Sequence, residues 1–445
     1  MKNIDQKIVV IGLGKTGYSV VSFFAERGVS VIVMDTRSEP PFSEMVKDQY
    51  PNVEMILGGL SEQVLCAADK IILSPGLAIA TKEIQAAIML GVPVVSDIQI
   101  FAEYAEAPIV AITGSNAKST VTSLLGEMAK DAGLNVAIGG NLGTPALELI
   151  NSNVQLYVME LSSFQLETTP SLNAEVATVL NISPDHLDRY DSYEDYWKAK
   201  HKIFNGCKSI VVNRDDLLSK PLVDLNVKTI TFGLDEASGI HFGVANHNGD
   251  NFLAIEHQAL INTKQLKIKG THNRSNALAA LALGSAAGLS LDSMLTTLED
   301  FPGLDHRCQW VGKHNNVDYF NDSKGTNVGA TVAALDGLSA DIEGSIVLMA
   351  GGDGKGADFS FLSKAVKSSV KTLVAYGRDK QKIFDALGED TAIVLADDFE
   401  DAFKKAKTAA VSGDAVLLSP ACASFDMFNS FEHRGDVFVQ LVNAL

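Results

Sequence analysis

The sequence predicts an α/β protein of three domains, each built on a mainly parallel sheet. Its 445 residues exceed what one hydrophobic core usually organises, so two or three domains are expected. Short apolar segments alternate with helical patterns along most of the chain, which is typical of βαβ units. Two turns, IGLGKTG at 11–17 and TGSNAKST at 113–120, each join an apolar strand to a helix.

The first unit spans residues 1–96 and is expected to be Rossmann-like. KIVVIGLG reads as a strand and turn, TGYSVVSFFAERG as a helix, and VSVIVMDTR, KIILSPG and GVPVVSD as further strands. Gly12, Gly14 and Gly17 fit G-x-G-x-x-G, in which glycines permit a tight turn and close approach of a pyrophosphate to the helix N terminus. This pattern favours a phosphate-bearing ligand, NAD among the candidates. The structural alternative is a set of small residues needed only for helix–strand packing.

The second and third units continue the alternation. Residues 97–303 contain APIVAI before TGSNAKST, then the strands LYVMEL, VATVLNI and KSIVVN, short alternating strands over 208–270, and an Ala-rich helix in NRSNALAALALGSAAGL. We expect a central domain that resembles a P-loop ATPase, with a mainly parallel sheet. Residues 304–445 carry VDYFND, SIVLMAGG, TLVAYG and AVLLSPA at the same spacing, which predicts a second Rossmann-like domain.

The composition excludes several classes of function. The formal net charge is −18, with 46% hydrophobic and 20% charged residues, which argues against nucleic-acid and membrane-surface proteins because these need a basic face. The four cysteines show no CxxC spacing, which indicates a reducing compartment without a disulfide framework or zinc site. Neither a signal-peptide pattern nor a membrane-spanning apolar segment is predicted. We therefore expect a cytoplasmic protein.

The second turn departs from the general phosphate-loop pattern. That pattern has a glycine before the lysine and another six residues before it, where this chain has Ala117 and Ile112. Lys118 can nevertheless bind phosphate oxygens, and Ser119 or Thr120 can offer a hydroxyl to Mg²⁺. The methyl group of Ala117 matters only if its φ is positive, where it costs about 1 kcal/mol. The turn by itself leaves an ATP site and an ordinary helix start equally open.

Three residues further along the chain add candidate chemistry. Glu160 ends an apolar strand, His186 lies in the turn after another strand, and Lys200 lies on a helix with several aromatic residues. A carboxylate and an imidazole at strand ends near a phosphate loop can bind a metal ion. The alternatives are a solvated carboxylate, a hydrogen-bonded loop histidine and a lysine at the surface.

Ten motifs together carry a resemblance to a known family. They are TGSNAKST, GGNLG (139–143), ELSSFQLE (160–167), NISPDHLDRY (181–190), YWKAK (196–200), HNRSNALAA (272–280), GLDHR (303–307), NDSKGTN (321–327), GGDGKGADF (351–359) and SPACASFDMF (419–428). In this order they resemble the Mur ligase family over essentially the whole chain. That family uses the shorter loop T-G-[ST]-N-G-K-[ST]-T, which accommodates Ile112 and leaves Ala117 as the remaining departure.

The resemblance implies an activity. It implies an ATP-dependent acid–amino-acid ligase of peptidoglycan precursor synthesis, and NDSKGTN is similar to members that add D-glutamate to UDP-N-acetylmuramoyl-L-alanine through an acyl phosphate. The first domain would bind the UDP part, the central domain ATP, and the third domain D-glutamate. Two Mg²⁺ ions are implied, and the lysine that matches Lys200 is carbamylated in the family, a reaction that needs a neutral amine. We expect a monomer whose partners are these small molecules.

The resemblance also assigns site residues. The ATP-binding residues would be Gly114, Ser115, Asn116, Ala117, Lys118, Ser119, Thr120, Asn273, Asn276, Arg307, Asp322 and Lys324. The UDP-substrate residues would be Gly14, Thr16, Asp35, Thr36, Arg37, Ser74, Pro75, Gly76, Asn141 and His186. The D-glutamate residues would be Thr326, Lys355, Ser424, Phe425 and Phe431. The catalytic residues would be Lys118, Glu160, His186 and Lys200, and the metal-binding residues Ser119, Glu160, His186 and Lys200.

Three other functions compete with this interpretation. A different amide ligase of the same superfamily would act on a folate or on another UDP-peptide. An NAD-linked oxidoreductase would explain IGLGKTG and Asp35, but it leaves the second loop, HNRSN and GGDGKG without a role. A non-catalytic nucleotide-binding regulator would not need Glu160, His186 and Lys200 together.

Overall fold

The computed structural model describes residues 6–185, 189–222, 226–339, 342–389 and 391–445. These residues form three sheets of five, nine and six strands. The three sheets follow one another along the chain, and helices lie between most of their parallel strands. The predicted α/β class with mainly parallel sheets is therefore confirmed, while the domain bounds at 96 and 303 stay a prediction.

The first sheet is entirely parallel, with the strand order β3-β2-β1-β4-β5. Its strands are β1 (Ile8–Ile11), β2 (Val31–Asp35), β3 (Glu54–Leu57), β4 (Lys70–Leu73) and β5 (Val94–Val95). The helices of this part are α1 (Lys15–Ala25), α2 (Ser43–Gln49), α3 (Glu62–Cys66), α4 (Lys82–Met89) and α5 (Asp97–Tyr104). All four residues of β1 are buried, as expected for a central strand covered by helices on both faces.

The second sheet has the order β14-β13-β12-β11-β10-β9-β6-β8-β7. Its strands are β6 (Ile109–Thr113), β7 (Val136–Gly140), β8 (Leu156–Glu160), β9 (Val176–Val179), β10 (Ser209–Asn213), β11 (Lys228–Glu236), β12 (Phe242–His247), β13 (Asp250–Ile255) and β14 (Gln258–Asn262). The helices are α6 (Lys118–Asp131), α7 (Ser163–Glu167), α8 (Tyr193–His201), α9 (Thr271–Ala286) and α10 (Leu291–Asp300). Only the pairs β12–β13 and β13–β14 run antiparallel, so the sheet as a whole is mainly parallel.

The third sheet has the order β15-β16-β20-β17-β18-β19, in which only the edge pair β15–β16 is antiparallel. Its strands are β15 (Gln309–His314), β16 (Val317–Asn321), β17 (Ile346–Gly351), β18 (Val370–Tyr376), β19 (Ala392–Leu395) and β20 (Ala415–Leu418). The helices are α11 (Val328–Leu338), α12 (Ser363–Ser369), α13 (Lys380–Leu387), α14 (Phe399–Ala409) and α15 (Phe431–Asn443). Apolar clusters cover both faces of the sheet.

The contacts between the sheets differ in chemistry. The first and second sheets share a hydrophobic cluster, in which Phe101 of α5 packs edge-on against Tyr157 of β8 with 5.0 Å between ring centroids. The second and third sheets meet through polar groups, including Arg307 and Lys324 against Ser119. The polar contact places charged side chains where the two parts meet. Across the described ranges, no helix is both long enough and apolar enough to cross a bilayer.

Candidate active site

The loop between β6 and α6 carries the sequence TGSNAKST. Ala117 precedes the first helical residue with φ 64° and ψ −2°, so it occupies the left-handed region that favours glycine. Holding an alanine there costs about 1 kcal/mol. Asn181, two residues after β9, fixes the loop, since the N–H groups of Ser115 and Asn116 donate to its main-chain and side-chain oxygens at 2.9 and 2.8 Å. The strained position is thus held by its surroundings.

Two lysine side chains converge inside this loop. Lys118 Nζ donates to the carbonyl oxygens of Gly114 and Ser115 at 2.8 and 3.0 Å, and Lys200 Nζ donates to the same Gly114 oxygen at 3.0 Å. Burial lowers the pKa of both ammonium groups, and for Lys200 the nearby charge of Lys118 lowers the pKa further. Lys200 is 2% exposed, so the interpretation of this residue as a surface lysine is wrong.

Glu160, the last residue of β8, supplies a carboxylate to this centre. It is 3% exposed, and its Oε1 accepts a hydrogen bond from Asn141 Nδ2 at 2.8 Å. Its Oε2 is buried without a hydrogen-bond partner. Buried carboxylate oxygens are rarely left in this state, and an unpartnered anionic oxygen beside a phosphate loop is a fitting ligand for Mg²⁺.

The metal ligands suggested by the sequence are only partly described. His186 lies outside the described residues. Among the residues the structure describes, no group of three or more His, Cys, Asp or Glu side chains could hold a metal ion. Mg²⁺ is commonly bound by one or two carboxylates together with substrate phosphates and water, so Glu160 with the Ser119 hydroxyl fits such a site.

The third sheet contributes two cations to the same centre. Arg307 Nη2 lies 3.0 Å and Lys324 Nζ lies 3.4 Å from the Ser119 hydroxyl oxygen. Arg307 is flanked by His306 and Cys308, whose φ angles of 62° and 47° place both in the left-handed region. Such strain is typical of functional segments. Burial, aided by the charge of Arg307, lowers the pKa of Lys324 to about 8. Lys324, which the resemblance assigns to ATP, therefore lies in the charged centre.

A cavity of about 340 Å³ adjoins the loop. Of the residues assigned to ATP, its lining includes Asn116, Ala117, Thr120, Asn273, Asn276, Arg307, Asp322 and Lys324. Asp322 accepts hydrogen bonds from the Ser419 hydroxyl at 2.7 Å and the Cys308 N–H at 3.1 Å, and burial raises the pKa of its carboxyl to about 7. The cavity is large enough for a nucleoside, and Lys118 and Ser119 lie beside it.

Several polar residues of this region escaped the sequence analysis. Asn181, Asn213 and Asp216 also line the cavity. Asp185 accepts a hydrogen bond from Asn327 Nδ2 at 3.2 Å and lies 3.9 Å from Lys355 Nζ. All but Asn327 follow or end strands of the second sheet, and position at a strand end is the one signal that could have found them.

A second cavity, of about 430 Å³, lies at the first glycine loop. Eight of the residues assigned to the UDP substrate line it, namely Gly14, Thr16, Asp35, Thr36, Arg37, Ser74, Pro75 and Gly76. Asp35 Oδ2 accepts the Leu13 N–H at 2.7 Å, and the Arg37 guanidinium donates to both carboxylate oxygens. Burial opposes ionisation of Asp35, but these hydrogen bonds prevail and lower its pKa to about 2. Asp35 thus fixes the loop while it lines the cavity.

The glycines of this loop have different roles. A Cβ on Gly17 would lie 1.8 Å from the Gly12 carbonyl oxygen, whereas a Cβ on Gly14 would meet no atom within 4 Å. Gly17 is therefore required for the close approach of α1 to the turn, and Gly14 leaves open space on the cavity side. Packing therefore explains Gly17, and ligand binding at Gly14 stays a prediction.

The residues assigned to D-glutamate surround the edge of the charged centre. Lys355 has φ 50° and approaches Asp185 of the second sheet's loops. The ring centroid of Phe431 lies 4.8 Å from Lys324 Nζ. Ser424 is buried, while Phe425 is 76% exposed; Thr326 is half-buried and precedes Asn327. The structure brings Lys355 and Phe431 to the centre and leaves the Phe425 ring at the surface.

Comparison with known proteins places this geometry in a family. Residues 6–96 match the family model described as Mur ligase MurD-like, N-terminal domain. The Mur ligase middle domain fits residues 112–284, and the Mur ligase, glutamate ligase domain fits residues 306–422. Together these three matches cover well over half of the chain.

Individual relatives agree over almost their whole length. Proteins named UDP-N-acetylmuramoylalanine–D-glutamate ligase from Pseudomonas savastanoi pv. phaseolicola and Pseudomonas fluorescens (strain Pf0-1) are 54% and 55% identical over 441 residues, 99% of this chain and 98% of each relative. A solved structure of MurF from Acinetobacter baumannii shares the fold, with a TM-score of 0.63 and 16% identity over 98% of this chain and 93% of the other. The chain therefore belongs to the Mur ligase family.

Proposed function

We propose that this chain joins D-glutamate to UDP-N-acetylmuramoyl-L-alanine, using ATP and forming ADP and phosphate. The observation that carries the proposal is the convergence of Lys118, Lys200, Arg307 and Lys324 around Ser119 and Glu160, beside a nucleoside-sized cavity, together with a separate cavity at the first glycine loop. Two nucleotides and one charged centre match a reaction between ATP and a nucleotide-linked acid. The names of the full-length relatives supply the identity of the acid and of the amine.

The chemistry follows from the poor reactivity of a carboxylate. The negative charge repels an amine, and no leaving group is present. Transfer of the γ-phosphoryl group breaks its bond to the bridging oxygen of ADP and forms a bond to an oxygen of the alanyl carboxylate. The amine of D-glutamate then attacks the carbonyl carbon, loses a proton to solvent, and expels phosphate together with that carboxylate oxygen. An amide remains.

The buried cations would stabilise the charge that moves in this reaction. In phosphoryl transfer, negative charge spreads over the phosphoryl oxygens and the leaving oxygen. Fixed cations in a site shielded from water stabilise such charge strongly because they need no reorganisation. We assign Lys118 to the β- and γ-phosphate oxygens of ATP. Arg307 and Lys324, which contact Ser119, would reach the transferred phosphoryl group from the third sheet.

We assign Mg²⁺ binding to Ser119, Glu160, His186 and carbamylated Lys200, and we propose two ions because the family resemblance implies them. Magnesium, when bound, neutralises phosphate oxygens and polarises the group being transferred. The buried, unpartnered Oε2 of Glu160 supports this assignment. Asn141 donates to the other oxygen and would hold the carboxylate in place.

We further propose that Lys200 is carbamylated. Carbon dioxide reacts with a neutral amine, and burial together with Lys118 lowers the pKa of Lys200 well below that of an ordinary lysine. The product would be an anion close to the Lys118 ammonium, which donates to the same Gly114 carbonyl oxygen as Lys200. Protein incubated with ¹³C-bicarbonate should show a carbamate carbon signal that Lys200→Arg lacks and Lys130→Arg retains; identical spectra of wild type and Lys200→Arg would refute carbamylation.

The three parts of the chain would divide the substrates. We assign the UDP end to the cavity at the first glycine loop, ATP to the cavity beside TGSNAKST, and D-glutamate to Lys355, Ser424 and Phe431, with Thr326 and Phe425 as further candidates at the edge of that site. Dependence on ATP supports the predicted cytoplasmic location. The monomeric state stays a prediction, which analytical ultracentrifugation can check.

The proposed function is tested by a coupled assay with a stereochemical control. Purified protein with Mg²⁺, ATP and UDP-N-acetylmuramoyl-L-alanine should release phosphate when D-glutamate is added and form an equal amount of amide product. L-glutamate, and NAD with either substrate, should give neither product. Phosphate release that does not depend on D-glutamate would overturn the assignment, as would preference for another amino acid.

A further inference from the structure

Lys15 lies at a junction between two parts of the chain. It is the first residue of α1, and it lines the cavity at the first glycine loop. Its Nζ donates at 2.7 Å to the carbonyl oxygen of Gly143, which follows β7 of the second sheet. The side chain therefore reaches from the UDP cavity toward the loop that also carries Asn141.

The charges that line this cavity single out Lys15. Two of the lining residues are cations, Lys15 and Arg37. The Arg37 guanidinium is already bonded to both carboxylate oxygens of Asp35. Lys15 is bonded to a neutral carbonyl oxygen, and the ion pairs of the described residues include none with Lys15. Lys15 thus carries the positive charge of this cavity that no carboxylate neutralises, and an anionic ligand would bind next to it.

The position of Lys15 corresponds to the middle of the proposed substrate. Gly143, whose carbonyl oxygen accepts the Lys15 hydrogen bond, lies two residues after Asn141. The Asn141 side chain in turn donates to Glu160 at 2.8 Å. A UDP-linked acid whose base lies in the cavity at the first glycine loop and whose carboxylate lies near Glu160 must place its diphosphate between them. The chain carries a formal net charge of −18, so an anionic substrate depends on local cations for attraction.

We propose that Lys15 binds the diphosphate of the UDP substrate. This inference rests on the proposed function and adds a residue that the sequence analysis did not assign. Its ammonium supplies the charge, and the N–H groups at the start of the 11-residue helix α1 supply directed donors. Through its hydrogen bond to Gly143, Lys15 would also hold the bound diphosphate next to the second sheet.

Ligand fragments separate this role from a structural one. Binding of UDP and of uridine is measured by calorimetry for the wild type, Lys15→Gln, Lys15→Arg and the control Lys82→Gln, an exposed lysine that begins α4 in the same part of the chain. Lys15→Gln should weaken UDP binding about tenfold, the usual size of one charge-assisted hydrogen bond, and leave uridine binding unchanged. Lys15→Arg should restore most of the UDP affinity, and Lys82→Gln should match the wild type.

Kinetics add a second readout. Lys15→Gln should raise KM for the UDP substrate about tenfold while KM for ATP stays as in the wild type. UDP binding that is unaffected by Lys15→Gln, or uridine binding that falls as much as UDP binding, would overturn the inference. The fragment measurements need no turnover, so the two hypotheses can be separated. If Lys15→Gln leaves UDP binding unchanged while the ligase assay succeeds, only the role of Lys15 is refuted. If Lys15→Gln weakens UDP binding while the ligase assay fails, the proposed function is refuted instead.

Discussion

The two glycine-containing loops have the same place in their folds and opposite electrostatics. Both follow a buried parallel strand and lead into a helix. Beside the first loop the buried carboxylate of Asp35, the last residue of β2, is neutralised by Arg37 at the edge of an open cavity. At the second, the partly buried Lys118 and the buried Lys200 donate to one carbonyl oxygen, with Arg307 and Lys324 close by.

This difference separates recognition from catalysis. The first loop depends on close backbone packing. The Gly12 carbonyl oxygen lies where a Cβ of residue 17 would be, and Asp35 holds the turn by accepting the Leu13 N–H. The second loop brings several positive charges together where little water reaches them. This arrangement destabilises the folded protein until phosphate oxygens neutralise the charges. Substitutions in the first loop should therefore change stability and binding of the UDP substrate, and substitutions in the second should change turnover.

The largest effect is expected for Lys118→Met. It removes the buried ammonium assigned to the phosphates of ATP, so turnover should fall about a thousandfold or more, and the thermal transition should change little. Lys130→Met, on the exposed last turn of the same helix, should retain normal turnover. Phosphate release under saturating substrates measures both. Near-normal turnover of Lys118→Met would remove the basis for the comparison between the loops.

The next effect is expected for Gly17→Ala. Its methyl group would lie 1.8 Å from the Gly12 carbonyl oxygen, so α1 must move, and we expect a loss of about 3 kcal/mol in unfolding free energy. Gly14→Ala, with no atom within 4 Å of the new Cβ, should unfold like the wild type. Denaturant titration followed by circular dichroism compares the two. Equal stability of both variants would show that the glycines do not differ in role.

Asp35→Asn should give a smaller effect that depends on pH. The folded-state pKa of about 2 lies below the ordinary value of 3.8, so ionised Asp35 stabilises the native state by on the order of 2 kcal/mol at neutral pH. This contribution is fully present above pH 4 and is lost as pH falls toward 2. The difference in unfolding free energy between wild type and Asp35→Asn should be constant from pH 7 to 5 and narrow below 4. If the difference in unfolding free energy between the two proteins increased on acidification, the prediction would be contradicted.

The smallest effect is expected for Ala117→Gly. Glycine adopts φ 64° without the steric cost of a Cβ, so the unfolding free energy should rise by up to about 1 kcal/mol. Ala132→Gly at the other end of α6, where φ is −73°, should not be stabilising. Denaturant titration resolves the pair. If Ala117→Gly instead destabilises the protein, the left-handed conformation is not a source of strain.

The sequence allowed most of the fold to be predicted, because its central strands are apolar throughout. IVVI, IVAIT and AVLL are buried at every position. The sequence analysis missed the edge strands Glu54–Leu57 and Ala392–Leu395, which are only partly buried. Val136–Gly140 ends in two glycines, which obscure a strand pattern.

The candidate site was predicted best where one motif contains both the backbone shape and the chemical group. Lys118 and Ser119 follow from TGSNAKST, and Gly12, Gly14 and Gly17 follow from the first loop. The contacts of Ser119 with Arg307 and Lys324 join residues 188 and 205 positions apart, and local pattern does not determine such pairs. Nor did the pattern reveal that Lys200 is buried, because four flexible methylene groups let the same helix position reach solvent or the interior.

We expect ATP to phosphorylate the substrate carboxylate at the centre formed by Lys118, Lys200 and Glu160. The most direct measurement supplies UDP-N-acetylmuramoyl-L-alanine with ¹⁸O in both carboxylate oxygens, together with Mg²⁺, ATP and D-glutamate, and analyses the released phosphate by mass spectrometry. An acyl phosphate requires one labelled oxygen in every phosphate and one in every amide. Phosphate without label, released alongside amide, would contradict the claim.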